Sequence, residues 1–347
     1  TRGSIAKPGP TTVRYGGNTS CVSVRSDAGT LVMVDCGTGA HGLGRHLIEE
    51  ADGAPVDGHI LVSHTHWDHI QGLPFFAPLF REGCRWQISG PSGLGGSLSE
   101  ILAGQMEYTY FPVAIDQLAA SVSHQDLVEG AFDIDDIHVD TRFLNHPALT
   151  LGYRLEADGA VVVYSSDHEP HDHGLAGGGD VARNRHDDAH AAWLAGADLL
   201  IHDAQYLASE FGNHVGWGHS TVEYVIDVAR RADVARVALY HHDPGRTDDQ
   251  VDALVELARA HAAVAGYDGE IFAAAEGMTI TLAGDAERRA RLAAKRRSSP
   301  VATVAPAARS DSVVIFAPTP EVAHVLVDAA RSEGLDIVVA DDLNGAF

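Results

Sequence analysis

Short apolar runs separated by polar, glycine-containing turns recur along the first 282 residues of the chain. Val22-Ser23-Val24, Thr30 to Val34, Ile60-Leu61-Val62, Trp86-Gln87-Ile88, Leu151 to Leu155, Ala160 to Tyr164, Leu199-Leu200-Ile201, Val237 to Tyr240 and Met278 to Thr281 each read as a strand. Helical stretches are expected near 41–51, 95–107, 115–121, 187–196, 221–232 and 247–265. Sheets flanked by helices predict a layered α/β domain.

Polar groups fall where these strands end. Asp35 follows Leu31 to Val34, His64-Thr65-His66-Trp67-Asp68-His69 follows Ile60 to Val62, Asp167 follows Val161 to Tyr164, Asp203 follows Leu199 to Ile201, and His241-His242 follow Val237 to Tyr240. Loops that leave one edge of a sheet converge on a shared site, so five such placements point to one site rather than five.

The densest of them is the string HTHWDH, with three imidazoles and a carboxylate in six residues. That donor set suits borderline divalent metals such as zinc, and a tight turn can aim its ligands at two neighbouring ions. His146 precedes Pro147, which restricts it to extended backbone. His241 and His242 leave a strand on opposite faces, so one of them faces the metals, and His241 is the preferred one. His168, His171 and His173 lie in a Gly-rich, acidic loop and are expected to be solvated or to face substrate.

Composition narrows what such a site serves. With 48 acidic against 24 basic residues, the formal net charge is −24, which opposes a broad footprint for nucleic acid. No apolar run approaches the ~20 residues of a membrane span, and no apolar signal segment opens the chain; a cytoplasmic protein is expected. Cys21, Cys36 and Cys84 are too few for a disulfide framework and read as buried small hydrophobes.

HTHWDH, Phe143-Leu144-Asn145-His146-Pro147, Tyr164-Ser165-Ser166-Asp167 and Leu239-Tyr240-His241-His242-Asp243-Pro244 together resemble the metallo-β-lactamase superfamily over roughly residues 1–282. The resemblance implies a four-layer αββα sandwich and two divalent ions, zinc first, with manganese or iron as alternatives. It implies that His64, His66 and His146 hold one ion, that Asp68, His69 and His241 hold the other, and that Asp167 bridges them, with Asp68 also counted among the catalytic groups. Asp35-Cys36-Gly37-Thr38-Gly39 looks like the superfamily's structural aspartate turn. Thr1-Arg2-Gly3-Ser4 resembles part of a Gly-Thr-Arg-Gly-Ser string that follows the first strand in a subgroup of these hydrolases, so that the chain reads as beginning inside it. Gly16-Gly17-Asn18 is expected to form a turn close to the metal pocket.

A second motif selects a branch. Trp217-Gly218-His219-Ser220-Thr221 precedes a predicted helix, and Ser220 with Glu223 has capping-box spacing. This resembles the ribonuclease Z and cyclic phosphodiesterase branch, which implies His219 as proton donor with Asp203 as an orienting partner. The expected reaction is hydrolysis of a small or cyclic phosphodiester by a metal-bridging hydroxide, without a covalent enzyme intermediate. Ribonuclease activity of the ribonuclease Z type, lactone or thioester hydrolysis, and a nucleotide-sensing regulatory role are the alternatives.

Residues 284–311 have linker composition, and 312–347 read as strand, helix and strand, resembling an incomplete flavodoxin-like receiver segment. Ala317-Pro318 stand where a receiver carries an acidic pair. The expected organisation is therefore a hydrolase domain over 1–283, a linker and this βαβ segment. A homodimer, and a signalling partner for the C-terminal segment, are left open.

Overall fold

The computed structural model describes residues 1–93 and 96–283, together with two strands further on, Ser312–Ile315 and Asp336–Val339. The chain divides into compact units at Thr1–Pro300 and Val301–Phe347. In the second unit the two strands pair in parallel, with Ser312 opposite Asp336 and Ile315 opposite Val339. The expected linker and the expected helix near 321–332 lie outside the described residues.

The first unit contains two sheets. One runs β1 (Val22–Arg25), β2 (Leu31–Val34), β3 (Gly58–Leu61), β4 (Arg85–Pro91), β5 (Ser121–Leu127), in that order and parallel apart from the β1–β2 pair. The second comprises β6 (Gly130–Ile134), β7 (Ile137–Phe143), β8 (Leu151–Ala157), β9 (Ala160–Ser165), β10 (Leu199–Asp203), β11 (Arg236–Tyr240) and β12 (Glu270–Ala273). It is antiparallel from β6 to β9 and parallel from β9 to β12. Among the described residues the helices are α1 (Gly39–Glu50), α2 (Trp67–Ile70), α3 (Leu98–Gln105), α4 (Arg185–Leu194), α5 (Ala208–Phe211), α6 (Val222–Arg231) and α7 (Asp248–Ala265).

Strand periodicity creates the layers, because successive side chains point to opposite faces of a sheet. In β2, Leu31 and Met33 join a core with α1, α3 and the segment after α2, while Val32 and Val34 join the core between the sheets. In β11, Val237 and Leu239 pack with α4, α6 and α7, while Ala238 and Tyr240 face the inter-sheet core. Three apolar cores between four layers, helix–sheet–sheet–helix, give the expected αββα sandwich.

Several expected elements differ. The stretch 115–121 forms only a 3-10 turn over Ile115–Gln117, and Ser121 already begins β5, where pairing with β4 overrides the local helical reading. Met278 to Thr281 are not a strand; Ile280 and Leu282 instead pack against the inter-sheet core without joining a ladder. β6 and β7 were not expected, because neither contains a continuous apolar run; in β7 the signal is instead the alternation of Ile137, Val139 and Thr141 with His138, Asp140 and Arg142, that of a half-buried strand. Among the described residues no helix is long and apolar enough to cross a membrane.

Candidate metal centre

The strand ends meet at one edge of the two sheets. Three residues there adopt left-handed backbone although none is glycine: Asp35 (φ 60°), Asp167 (φ 62°) and His241 (φ 55°). Such conformations are uncommon outside glycine and cost of order 1–3 kcal/mol each, so the surrounding structure must impose them. Each follows the last residue of a strand or stands two beyond it, where the sharp turn redirects a side chain toward the centre.

The expected ligands come together in two groups. His64, His66 and His146 offer ligand atoms within 4.8 Å of one another, and Asp68, His69, Asp167 and His241 do the same. Asp167 faces both groups. Its Oδ1 is 3.3 Å from His69 Nε2 and 3.3 Å from His241 Nε2, and its Oδ2 is 3.7 Å from His64 Nε2 and 4.0 Å from His146 Nε2. The Nε2 atoms of His64 and His69 are buried and make no hydrogen bond. Buried polar atoms are normally satisfied, so lone pairs crowded together without bonding one another fit a shared cation.

The outer partners fix which ring nitrogen is free. The Tyr164 hydroxyl (2.6 Å), Ser63 Oγ (2.8 Å) and the Ser63 amide (2.7 Å) donate to Asp35. The Asp35 carboxylate in turn accepts from His69 Nδ1 at 2.7 Å. Ser63 Oγ, its hydrogen committed to Asp35, accepts from His64 Nδ1 at 3.1 Å. His241 Nδ1 donates to Gln205 Oε1 at 3.0 Å, and His146 Nδ1 to the Gly218 carbonyl at 3.0 Å. These partners leave the Nε2 of each ring facing the centre, unpartnered on His64 and His69, 3.1 Å from Asp68 Oδ2 on His241 and 3.2 Å from His66 Nδ1 on His146, the side from which an imidazole binds metal.

Charge agrees with geometry. Burial alone would push the Asp68 carboxyl up, but His69 and His241 outweigh it and hold it well below the ordinary carboxylate value. Burial opposes a proton on His69, yet Asp167, Asp68 and Asp35 prevail and favour positive charge at that position. Burial, aided by His69, pushes His64 well below its usual value. His241, not His242, faces the centre; His242 turns away to the Ala274 carbonyl, 3.1 Å from its Nε2.

His219 adjoins these groups. Its Nδ1 lies 2.8 Å from Asp203 Oδ2, and its ring stacks on His241 with centroids 5.0 Å apart. Burial lowers its pKa, but Asp203, with Asp167 and Asp68 beyond, raises it to about 9. Asp203, His219 and His241 form a third set of atoms within 4.8 Å. The close carboxylate on Nδ1 leaves Nε2 as the atom able to carry a transferable proton.

Three expectations need correction. His168 is buried, its Nδ1 accepting from the Asn145 amide at 3.1 Å and its ring stacked on His190 with centroids 3.9 Å apart. The cap of α6 is Thr221, which accepts from Tyr224 N at 3.3 Å, because Ser220 Oγ donates to the His168 carbonyl at 2.5 Å and Glu223 is drawn to Ala208 N at 3.1 Å. Gly16 and Gly17 pack on Glu276 and Pro8 rather than on the metal cluster; Gly3 is the one pressed against the His241 ring, where a Cβ would come within 2.5 Å.

One residue went unnoticed in the sequence. Glu169 is buried and accepts from the amides of Gly216 (2.9 Å) and Gly218 (2.7 Å), clamping the loop that carries His219 and the carbonyl that orients His146. Gly218 has φ 84°, and a Cβ there would stand 2.1 Å from His146 Nδ1. Its only sequence signal is position, two residues beyond Asp167.

A four-layer sandwich with histidine and aspartate donors at its strand ends defines the class of metallo-β-lactamase-fold hydrolases. The family model described as "Beta-lactamase superfamily domain" matches residues 30–242, and the chain belongs to that superfamily. Among curated relatives, ribonuclease Z from Haloarcula marismortui is 25% identical over 306 residues, covering 78% of this chain and 92% of the relative. Among solved structures, the metallo-β-lactamase fold protein YhfI from Bacillus subtilis aligns with a TM-score of 0.54 at 18% identity, over 80% of this chain and 94% of its own. The short form of human tRNase Z aligns with a TM-score of 0.52 at 20% identity, over 81% and 96%.

Proposed function

We propose that the chain is a phosphodiesterase acting on small or cyclic phosphodiesters through two divalent cations. His64, His66 and His146 would hold one and Asp68, His69 and His241 the other, with Asp167 between them. The observation that carries this reading is Asp167, whose two oxygens each face a separate ligand group. Zinc suits the donor set, and manganese and iron are the other metals it accepts. A bound pair of cations supplies an activated water and positive charge beside the non-bridging phosphate oxygens.

The chain's own groups complete the reaction. Asp203 holds His219 protonated at a wall of the cavity that Asp68, Asp167 and His241 also line. As the water oxygen bonds to phosphorus and the ester bond breaks, the proton on His219 Nε2 passes to the departing oxygen, which otherwise leaves as a poorly stabilised alkoxide. Lactone or thioester hydrolysis has less need of that donor, and His219 is what favours the phosphodiester.

Ribonuclease Z activity is the second reading, favoured by the names of the curated relatives. Against it stand the net charge of −24 and a cavity that, among the described residues, is lined by no Lys or Arg. Metal-loaded protein assayed on bis-p-nitrophenyl phosphate, cyclic nucleotides, a precursor tRNA, a lactone and a thioester separates these readings. The small phosphodiesters should be turned over. His219→Ala should cost about 10²–10⁴ in kcat on a cyclic nucleotide, and less on bis-p-nitrophenyl phosphate, whose phenolate leaves readily. Good turnover of lactone or thioester alone, indifferent to His219→Ala, would overturn the proposal.

A further inference from the structure

The cavity at the metal centre has a volume of about 480 Å³, more than a phosphate group alone fills. Of its lining, His66, Asp68, Asp167, His219 and His241 belong to the candidate ligands and the proton donor. Ser4, Thr65 and Trp67 are left to meet the rest of a substrate.

Trp67 stands out among these three. Its position is fixed from both sides, because His66 and Asp68 are both in the centre and Trp67 opens α2. Yet its own side chain is unburied, at 79% exposure, whereas the chain's other early-domain tryptophan, Trp86, is 2% exposed in the core. A large aromatic group left in water forgoes the burial that normally stabilises it. Among the described residues the cavity also offers no Lys or Arg with which to hold the remainder of a charged ligand. Contact energy beyond the phosphate must then come from an aromatic face and small polar groups.

We propose that Trp67 is a specificity-determining residue whose indole stacks on a flat aromatic group of the substrate, so that the substrates are phosphodiesters bearing a nucleobase. The proposal deepens, and rests on, the reading of the site as a small-phosphodiester hydrolase. Stacking on an aromatic side chain is tolerant of base identity, so the preference is for a base over none rather than for one base. The indole sits beside the centre rather than in it and forms no bond with the reacting atoms.

The test compares 2′,3′-cyclic AMP with methyl β-D-ribofuranoside 2,3-cyclic phosphate, which share the sugar and the reacting ring and differ in the base. Wild-type protein should favour the nucleotide in kcat/KM, and Trp67→Leu should reduce that ratio about tenfold or more, the scale of one stacked base. Trp67→Phe, which restores a ring face, should recover most of it. In parallel, AMP and ribose 5-phosphate are titrated against metal-loaded protein, where AMP should bind more tightly and lose that advantage in Trp67→Leu. Folding is not at stake at so exposed a position. If wild-type protein hydrolyses neither cyclic ester, the phosphodiesterase reading fails while the binding ratio still decides the role of Trp67. Equal losses on both members of each pair, no loss on either, or a Trp67-dependent change of oligomeric state without a change in the ratios would overturn the proposal.

Discussion

At the residue scale, the centre depends on groups that never touch it. Asp35, Ser63, Gln205 and the Gly218 carbonyl fix the ring nitrogens of His69, His64, His241 and His146. Glu169 acts one step further out, through backbone amides. Glu169→Ala should remove charge-assisted hydrogen bonds worth about 1.5–3 kcal/mol each, lower the urea midpoint, and reduce kcat more than KM because His219 loses its support. Catalysis that needs a protonated His219 should fall as pH rises through a value of about 9 or below, bound cations moving it lower. A pH–rate profile on a cyclic nucleotide checks this, and His219→Ala should lack that alkaline limb. The candidate ligands His64, His66, Asp68, His69, Asp167 and His241 were legible in the sequence because they follow apolar runs, whereas His146 was legible only through the family resemblance. Their supports were not, since Glu169 meets Gly216 and Gly218 across 47 and 49 residues and Gln205 meets His241 across 36. Nothing in local pattern encodes such pairings, nor the left-handed backbone of Asp35, Asp167 and His241.

At the element scale, the parallel strands β2, β3, β9, β10 and β11 were visible as short apolar runs because both of their faces are buried. β5 to β7 were harder to see, since one face of each meets solvent and carries Ser, Gln, Asp, His or Arg. Helix α6 shows how tertiary contacts shift a boundary. Ser220 and Glu223 had the spacing to cap it, but both side chains are engaged elsewhere and Thr221 takes the role. Thr221→Ala should therefore destabilise the protein by roughly 2 kcal/mol, read from equilibrium denaturation, because its hydroxyl both caps α6 and donates to the Ala176 carbonyl at 2.7 Å; a loss well under about 1 kcal/mol would contradict both roles.

At the scale of the whole molecule, burying so many imidazoles ties stability to pH. His168 and His190 are pushed well below their usual values by burial and by neighbouring histidines, and His242 to about 3 chiefly by burial. Below pH about 6.5 the unfolded chain binds protons at these positions and the native chain does not, so stability should fall as pH falls through that range. Denaturation of metal-stripped protein at successive pH values from 7 to 4 measures this without ligand loss contributing; a flat profile would contradict it.

The proposed pair of cations would draw on the same acidic, histidine-rich interior. Stripped protein is titrated with zinc while bound metal and hydrolysis of bis-p-nitrophenyl phosphate are followed together. Two tightly bound equivalents per chain are expected, with activity emerging as the second fills, and a reduced stoichiometry in Asp167→Asn. Binding that saturates at one equivalent under metal excess, or two equivalents without phosphodiester hydrolysis, would contradict it.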